Sequence, residues 1–111
     1  RRQILDLYET ADKSKNTESA MYSFNIPADK VIIMGDSGGD GPHFQWGSKI
    51  NAFLIANMAK ASLKKFCRQK SIHIHTFFGP SYADGELKDL HREMQFDIMD
   101  LVPVIETFLS R

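Results

Sequence analysis

An α/β fold with a short parallel sheet is what this sequence predicts, and three observations predict it. Strand-like apolar runs alternate with helical patterns along the chain. The run Val31 to Met34 is short, β-branched and apolar throughout, as a strand buried on both faces is. That run empties into the glycine-rich turn Gly35-Asp36-Ser37-Gly38-Gly39-Asp40-Gly41, and ligands of open α/β sheets bind just outside the carboxyl ends of strands.

Each element has its own signal. Ile4, Leu5, Leu7 and Tyr8 form a short amphipathic cluster that reads as helix. The polar stretch from Asp12 to Asn16 then breaks the pattern, and Ser14, Asn16 or Thr17 can cap a second helix that runs to about Phe24 and ends before Pro27. Lys30 to Gly35 is the first strand, Phe44 to Lys49 a short helical turn, and Ala52 to Ile55 a second buried strand. Lys60 to Gln69 is an amphipathic helix, with Leu63, Phe66 and Cys67 on its apolar side and Lys64, Lys65, Arg68 and Lys70 outside. Ile72 to Phe78 is a third strand, stopped by Gly79-Pro80-Ser81, and helices over about 86–95 and 97–109 close the chain. The result is a Rossmann-like three-layer arrangement, a thin parallel sheet flanked by helices, whose edges need covering or pairing. No internal repeat, linker or low-complexity segment divides it.

The 111 residues suit one compact domain that buries roughly two-thirds of its unfolded surface. With 14 basic against 14 acidic residues, the chain offers no electrostatic argument for nucleic acid or an anionic membrane as partner. No apolar stretch approaches the roughly 20 residues that span a bilayer, and no signal peptide is visible. Cys67 is the only cysteine, so an intramolecular disulfide is impossible and a reducing, cytoplasmic setting is expected. The chain starts Arg1-Arg2-Gln3 rather than with Met, which leads one to expect a processed product, a proteolytic remnant or a piece cut from something longer.

Two aspartates four positions apart on such a turn can converge their oxygens on a hard cation such as Mg²⁺, which takes carboxylate and water oxygens in near-octahedral array. Three rival readings of the loop fail. Gly35-Asp36-Ser37-Gly38-Gly39 matches the surroundings of a protease serine, but no histidine precedes Ser37 and the chain is about half the necessary length. A helix-loop-helix calcium site starting at Asp36 needs oxygen ligands where Gly38 and Gly47 stand. A phosphate-binding P-loop needs Gly-Lys-Ser/Thr, and Gly47-Ser48-Lys49 has the wrong order.

A strand ending in Gly-Asp-Ser-x-x-Asp resembles the fourth motif of the haloacid dehalogenase (HAD) superfamily, Rossmann-like phosphohydrolases that work through a phospho-aspartate. The resemblance implies that Asp36 binds Mg²⁺ directly and that Asp40 is a second ligand or holds metal-bound water; Gly39 stands where a polar residue is usual. It also implies a lysine near the start of the helix before this strand. Lys13, 23 positions before Asp36, fits best, with Lys15 the alternative. A phosphate and several carboxylates gathered round one divalent ion need such a further cation. Most of the chain is covered, but the first motif, Asp-x-Asp-x-Thr/Val with the attacking aspartate, and the second, a strand ending in Ser or Thr, are absent. The chain is therefore expected to be the C-terminal half of a HAD core, a single partial domain over 1–111, inactive alone and a weak Mg²⁺ binder. The implied parent acts on a small phosphorylated substrate.

Other residues invite blander readings. His73 and His75 share a strand face, yet two ligands without a third make a poor metal site. His43 and Phe44 border the acidic loop as candidates for a pocket wall or, more ordinarily, core anchors. The basic face of residues 64–70 reads as solvated surface, and Cys67 as a small buried hydrophobe. The competing function is a non-enzymatic half-domain that binds a partner, or forms a homo-oligomer through its sheet edge.

Overall fold

A computed structural model describes residues 13–110; the helix expected at 4–8, and the side chains of Lys13, Ser14 and Asn16, lie outside the described part. The first described helix, α1, is Lys13–Phe24. It ends with Asn25 in the left-handed region (φ 56°), and the Ile26 N–H closes back on the Met21 carbonyl at 2.9 Å. This is a Schellman cap, and Pro27 prevents the helix from resuming. A 3₁₀ turn, Ala28–Lys30, leads into β1, Ile32–Gly35. A second 3₁₀ turn, Gly38–Asp40, opens directly into α2, Gly41–Lys49.

Strand β2, Phe53–Asn57, is buried at its first four positions. It is followed by α3, Ala61–Gln69, then β3, Thr76–Phe78. A one-turn helix, α4, Leu90–Glu93, and a 3₁₀ turn, Ile98–Leu101, precede α5, Val102–Leu109. Like α1, helices α2 and α3 end in left-handed caps, at Asn51 (φ 63°) and Ser71 (φ 56°), with Ala52 and Ile72 bonding back to Gly47 and Cys67. Each cap reverses the chain into the segment that leads to the next strand.

The three strands are parallel in the order β1-β2-β3. Ile32 stands opposite Phe53 and Gly35 opposite Ala56; Asn57 stands opposite Phe78. One face of the sheet sends Ile33, Leu54 and Ala56 into a core with Phe44 of α2 and Leu63 and Cys67 of α3. The other face sends Phe53, Ile55 and Phe78 against Leu101 and Phe108. Two cores on opposite faces of one parallel sheet make the three-layer, Rossmann-like architecture that the alternation of strands and helices predicts.

Three boundaries differ from expectation, each for a physical reason. Helix α2 begins three residues before Phe44, because Pro42 in the first turn has no N–H that the helix needs. Strand β3 is limited to Thr76–Phe78, because the His75 ring takes the Leu54 N–H at 3.0 Å in place of a main-chain partner. The first closing helix is shortened to Leu90–Glu93 because Asp89 caps it, accepting from His91 and Arg92; the second opens at Asp97 as expected, with a 3₁₀ first turn, Ile98–Leu101, leading into α5.

Candidate functional site at the carboxyl end of β1

The loop after β1 is shaped by Asp40. This residue is 4% exposed, and its Oδ2 accepts the backbone N–H of Asp36 at 2.9 Å and of Ser37 at 3.3 Å. Glycine is required at position 35 for that fold-back. A Cβ there would lie 2.7 Å from Asp40 Cβ and 2.9 Å from a Phe44 ring carbon, closer than such atoms approach. Two further bonds tie the loop to α3: the Lys60 N–H donates to the Asp36 carbonyl at 2.7 Å, and the Gly38 N–H donates to Ser62 Oγ at 2.9 Å. The sequence Gly-Asp-Ser-Gly-Gly-Asp therefore folds into a turn whose second aspartate neutralises the turn's own donors.

With Asp40 serving the backbone, Asp36 is the outward member of the pair. Its side chain is 43% exposed, and its Oδ2 receives the Lys88 ammonium at 2.5 Å. This bond holds the Lys88 ammonium above the ordinary lysine range. Lys88 is the residue at this candidate site that sequence reasoning missed. It lies 52 positions away in a polar loop, and nothing local distinguishes it from the chain's other lysines.

The sequence-predicted residues divide accordingly. Asp36 and Asp40 lie on one loop, joined by the Asp36 N–H that donates to Asp40 Oδ2, but the Asp36 carboxylate turns outward to Lys88 while that of Asp40 is buried. Lys15 is exposed on α1. Helix α1 is held against α2 by Thr17 Oγ1 and His43 Nε2, 2.8 Å apart. Thr17 is about one helical turn beyond Lys13, and His43 three residues beyond Asp40, so the first half of α1 packs on the start of the helix that leaves the acidic loop.

The oxygen chemistry of the two aspartates suits Mg²⁺, and an ordered loop presenting an exposed carboxylate fits a direct ligand. Their number falls short of a full coordination sphere. Among the described residues no three His, Cys, Asp or Glu side chains gather as a complete protein site requires. Water and groups outside the described residues would have to supply the rest.

Asn57, which follows the Ala56 that pairs with Gly35 of β1, has a buried Oδ1 with no hydrogen-bond partner. It lines a cavity of about 570 Å³ with Met58, Phe78, Met94, Phe96 and Ile98 at the carboxyl end of the sheet. The adjoining Met58 adopts φ 52°, a left-handed conformation uncommon for a long side chain. A terminal polar residue after the apolar run Phe53 to Ala56 is the one sequence signal that could have pointed to this position.

The remaining candidates take structural roles. His75 Nδ1 accepts from Leu54 N–H, its ring stacks on Phe53 at 4.8 Å between centroids, and the His73 ring meets it edge-on at 5.0 Å. Phe44 is fully buried, and His43 stacks beside Trp46. Cys67 is buried in the α3 core, and that burial pushes its thiol up. No described helix is long and apolar enough to cross a membrane.

No family model, curated protein or solved structure matches the chain. What the fold and the loop define is an α/β domain with a carboxylate pair at the carboxyl end of an outer parallel strand.

Proposed function

We propose that this chain is the metal-binding half of a HAD-like, Mg²⁺-dependent phosphohydrolase. Its parent acts on a small phosphomonoester through a phospho-aspartate carried by a residue this sequence lacks. One observation carries the reading: an exposed Asp36, on a loop that buried Asp40 shapes, sits at the carboxyl end of β1 in a parallel sheet. When bound, Mg²⁺ would supply positive charge at the phosphoryl oxygens. Asp36 would hold the ion and Asp40 would keep the loop in register, while Lys13, with Lys15 as alternative, would offset the gathered negative charge.

The chain alone lacks an attacking carboxylate and is expected to turn over no substrate. The test is Mg²⁺-dependent hydrolysis of an aryl phosphate by the chain and by a longer parent whose upstream sequence carries Asp-x-Asp-x-Thr/Val after an apolar strand. Activity in the parent that is lost in Asp36→Asn supports the proposal. Robust activity in the chain alone refutes the missing nucleophile, and an upstream sequence without that motif refutes the enzyme.

A second reading has its own observation. Among the described residues β1 pairs on one side only, with β2, and Met34 on that strand is 40% exposed. An unpaired parallel edge with an apolar flank suits a non-enzymatic half-domain that self-associates. Sedimentation velocity separates the two readings: a concentration-dependent dimer that Met34→Lys abolishes favours self-association.

A further inference from the structure

The contact between Lys88 and Asp36 joins residues 52 positions apart, and the segment that delivers it is tied down at both ends. At one end, Tyr82 is 2% exposed, its N–H donates to Ala59 and its carbonyl accepts from Ala61, at 2.8 and 2.7 Å. At the other, the Asp89 N–H donates to the Tyr82 hydroxyl at 3.0 Å, and that hydroxyl donates to Glu93 Oε2 at 2.8 Å. Between these anchors residues 83–88 are exposed. They form a turn closed mainly on itself, with Ala83 N–H bonded to Glu86 Oε1 at 2.9 Å and Gly85 at φ 79°. Leu87, next to the lysine, is 87% exposed. Besides its anchored ends, the strap is held by the Arg92 guanidinium, which donates to Glu86 Oε2 at 3.0 Å, and by the Lys88 ammonium on the Asp36 carboxylate.

We propose that Lys88 is a built-in counter-cation for the acidic loop. Its ammonium holds Asp36 while no divalent ion is bound, and an ion entering at Asp36 displaces Lys88 and loosens the strap over residues 83–88. The inference rests on the reading of Asp36 as a metal ligand. Its physical basis is competition: an ammonium and a divalent ion cannot both sit at contact distance on one carboxylate oxygen without strong repulsion. An exposed ion pair is weak enough to yield, so the lysine tunes affinity rather than blocking the site.

The test uses Mn²⁺, which shares the preference of Mg²⁺ for oxygen ligands. Free Mn²⁺ is counted by its electron paramagnetic resonance signal against the chain, Lys88→Met and Lys88→Arg. Lys88→Met is expected to bind about twofold to fivefold more tightly, the weight of an exposed pair that no longer has to be broken, and Lys88→Arg to stay near the native value. Amide hydrogen exchange of residues 83–88 supplies a second readout. Saturating Mn²⁺ should speed exchange in the native chain, whereas in Lys88→Met the strap should exchange fast with or without the ion. Equal affinity of the native chain and Lys88→Met, or strap exchange that ignores a bound ion, overturns the role of Lys88 and leaves the metal site standing. Absence of Mn²⁺ binding in all three proteins overturns both.

Discussion

Replacing Asp40 by Ala should unfold the chain at markedly lower urea than replacing Asp36 by Ala, although the two aspartates stand four residues apart in one motif. Asp40 is 4% exposed and accepts two backbone N–H groups, at 2.9 and 3.3 Å. A hydrogen bond to a charged group contributes about 1.5–3 kcal/mol, and buried donors stripped of their acceptor cost a comparable amount. The longer bond belongs at the bottom of that range, so the two together should be worth about 3–4.5 kcal/mol. A small domain has about 5–15 kcal/mol in all, and at about 2 kcal/mol per molar urea, the middle of the range for small proteins, the midpoint should fall by roughly 1.5–2 M. Asp36 makes an exposed pair with Lys88, and its loss should move stability by no more than about 0.5 kcal/mol in either direction. Asp40→Asn, which keeps one acceptor oxygen but not the charge, should fall between. Equilibrium urea unfolding followed by Trp46 fluorescence gives all three values. Equal costs for the two alanine variants would refute the division of labour between a buried shaping carboxylate and an outward-facing one.

Three other variants probe the surroundings of that loop. Gly41→Ala should destabilise by about 1–2 kcal/mol in thermal melts, because its Cβ would come within 2.6 Å of the Phe66 ring; overpacking of about 1–3 kcal/mol outweighs the helix preference of alanine, at most about 1 kcal/mol. A stabilised Gly41→Ala would show that α2 and α3 do not approach so closely. Asn57→Leu should leave the melting temperature unchanged or raise it, since the buried Oδ1 has no partner to lose; a drop comparable to that of Asp40→Ala would mean that the amide is bonded. The Cys67 thiol, raised by burial, stays protonated in the fold while the unfolded chain ionises near 9.0. Its contribution to stability is therefore complete below pH 9.0 and is lost as pH rises through the folded value. Disulfide-exchange labelling at that pH should proceed no faster than the chain opens, and immediate stoichiometric labelling would contradict a buried thiol.

The parts of the fold that were legible in the sequence are those decided by short-range physics. The run Val31 to Met34 is apolar throughout and β1 forms there, but as the outer strand of the described sheet it buries Ile33 in one core while Ile32 is only partly covered and Met34 is 40% exposed. In α3 the apolar side carries Leu63 and Cys67, and those two residues are buried. The misjudged boundaries depend on partners distant in sequence. Nothing in Ile72-His73-Ile74-His75 reveals that a histidine ring will occupy the Leu54 N–H and postpone β3 to Thr76. In the acidic loop the sequence Gly35 to Asp40 was legible as a turn after a strand, but that Asp40 folds back on the Asp36 and Ser37 N–H groups, with Gly35 leaving it room, was not. Lys88 was not legible, because only the course of the chain after β3 brings it to Asp36.

The proposed metal site is tested most directly by paramagnetic broadening of backbone amide resonances on adding Mn²⁺ to the chain and to Asp36→Asn. A site at the carboxyl end of β1 predicts broadening centred on Asp36, Ser37 and Asp40 in the native chain and its loss in Asp36→Asn, with the remaining spectrum unchanged. Broadening centred instead on His73 and His75, or none at all, would contradict it.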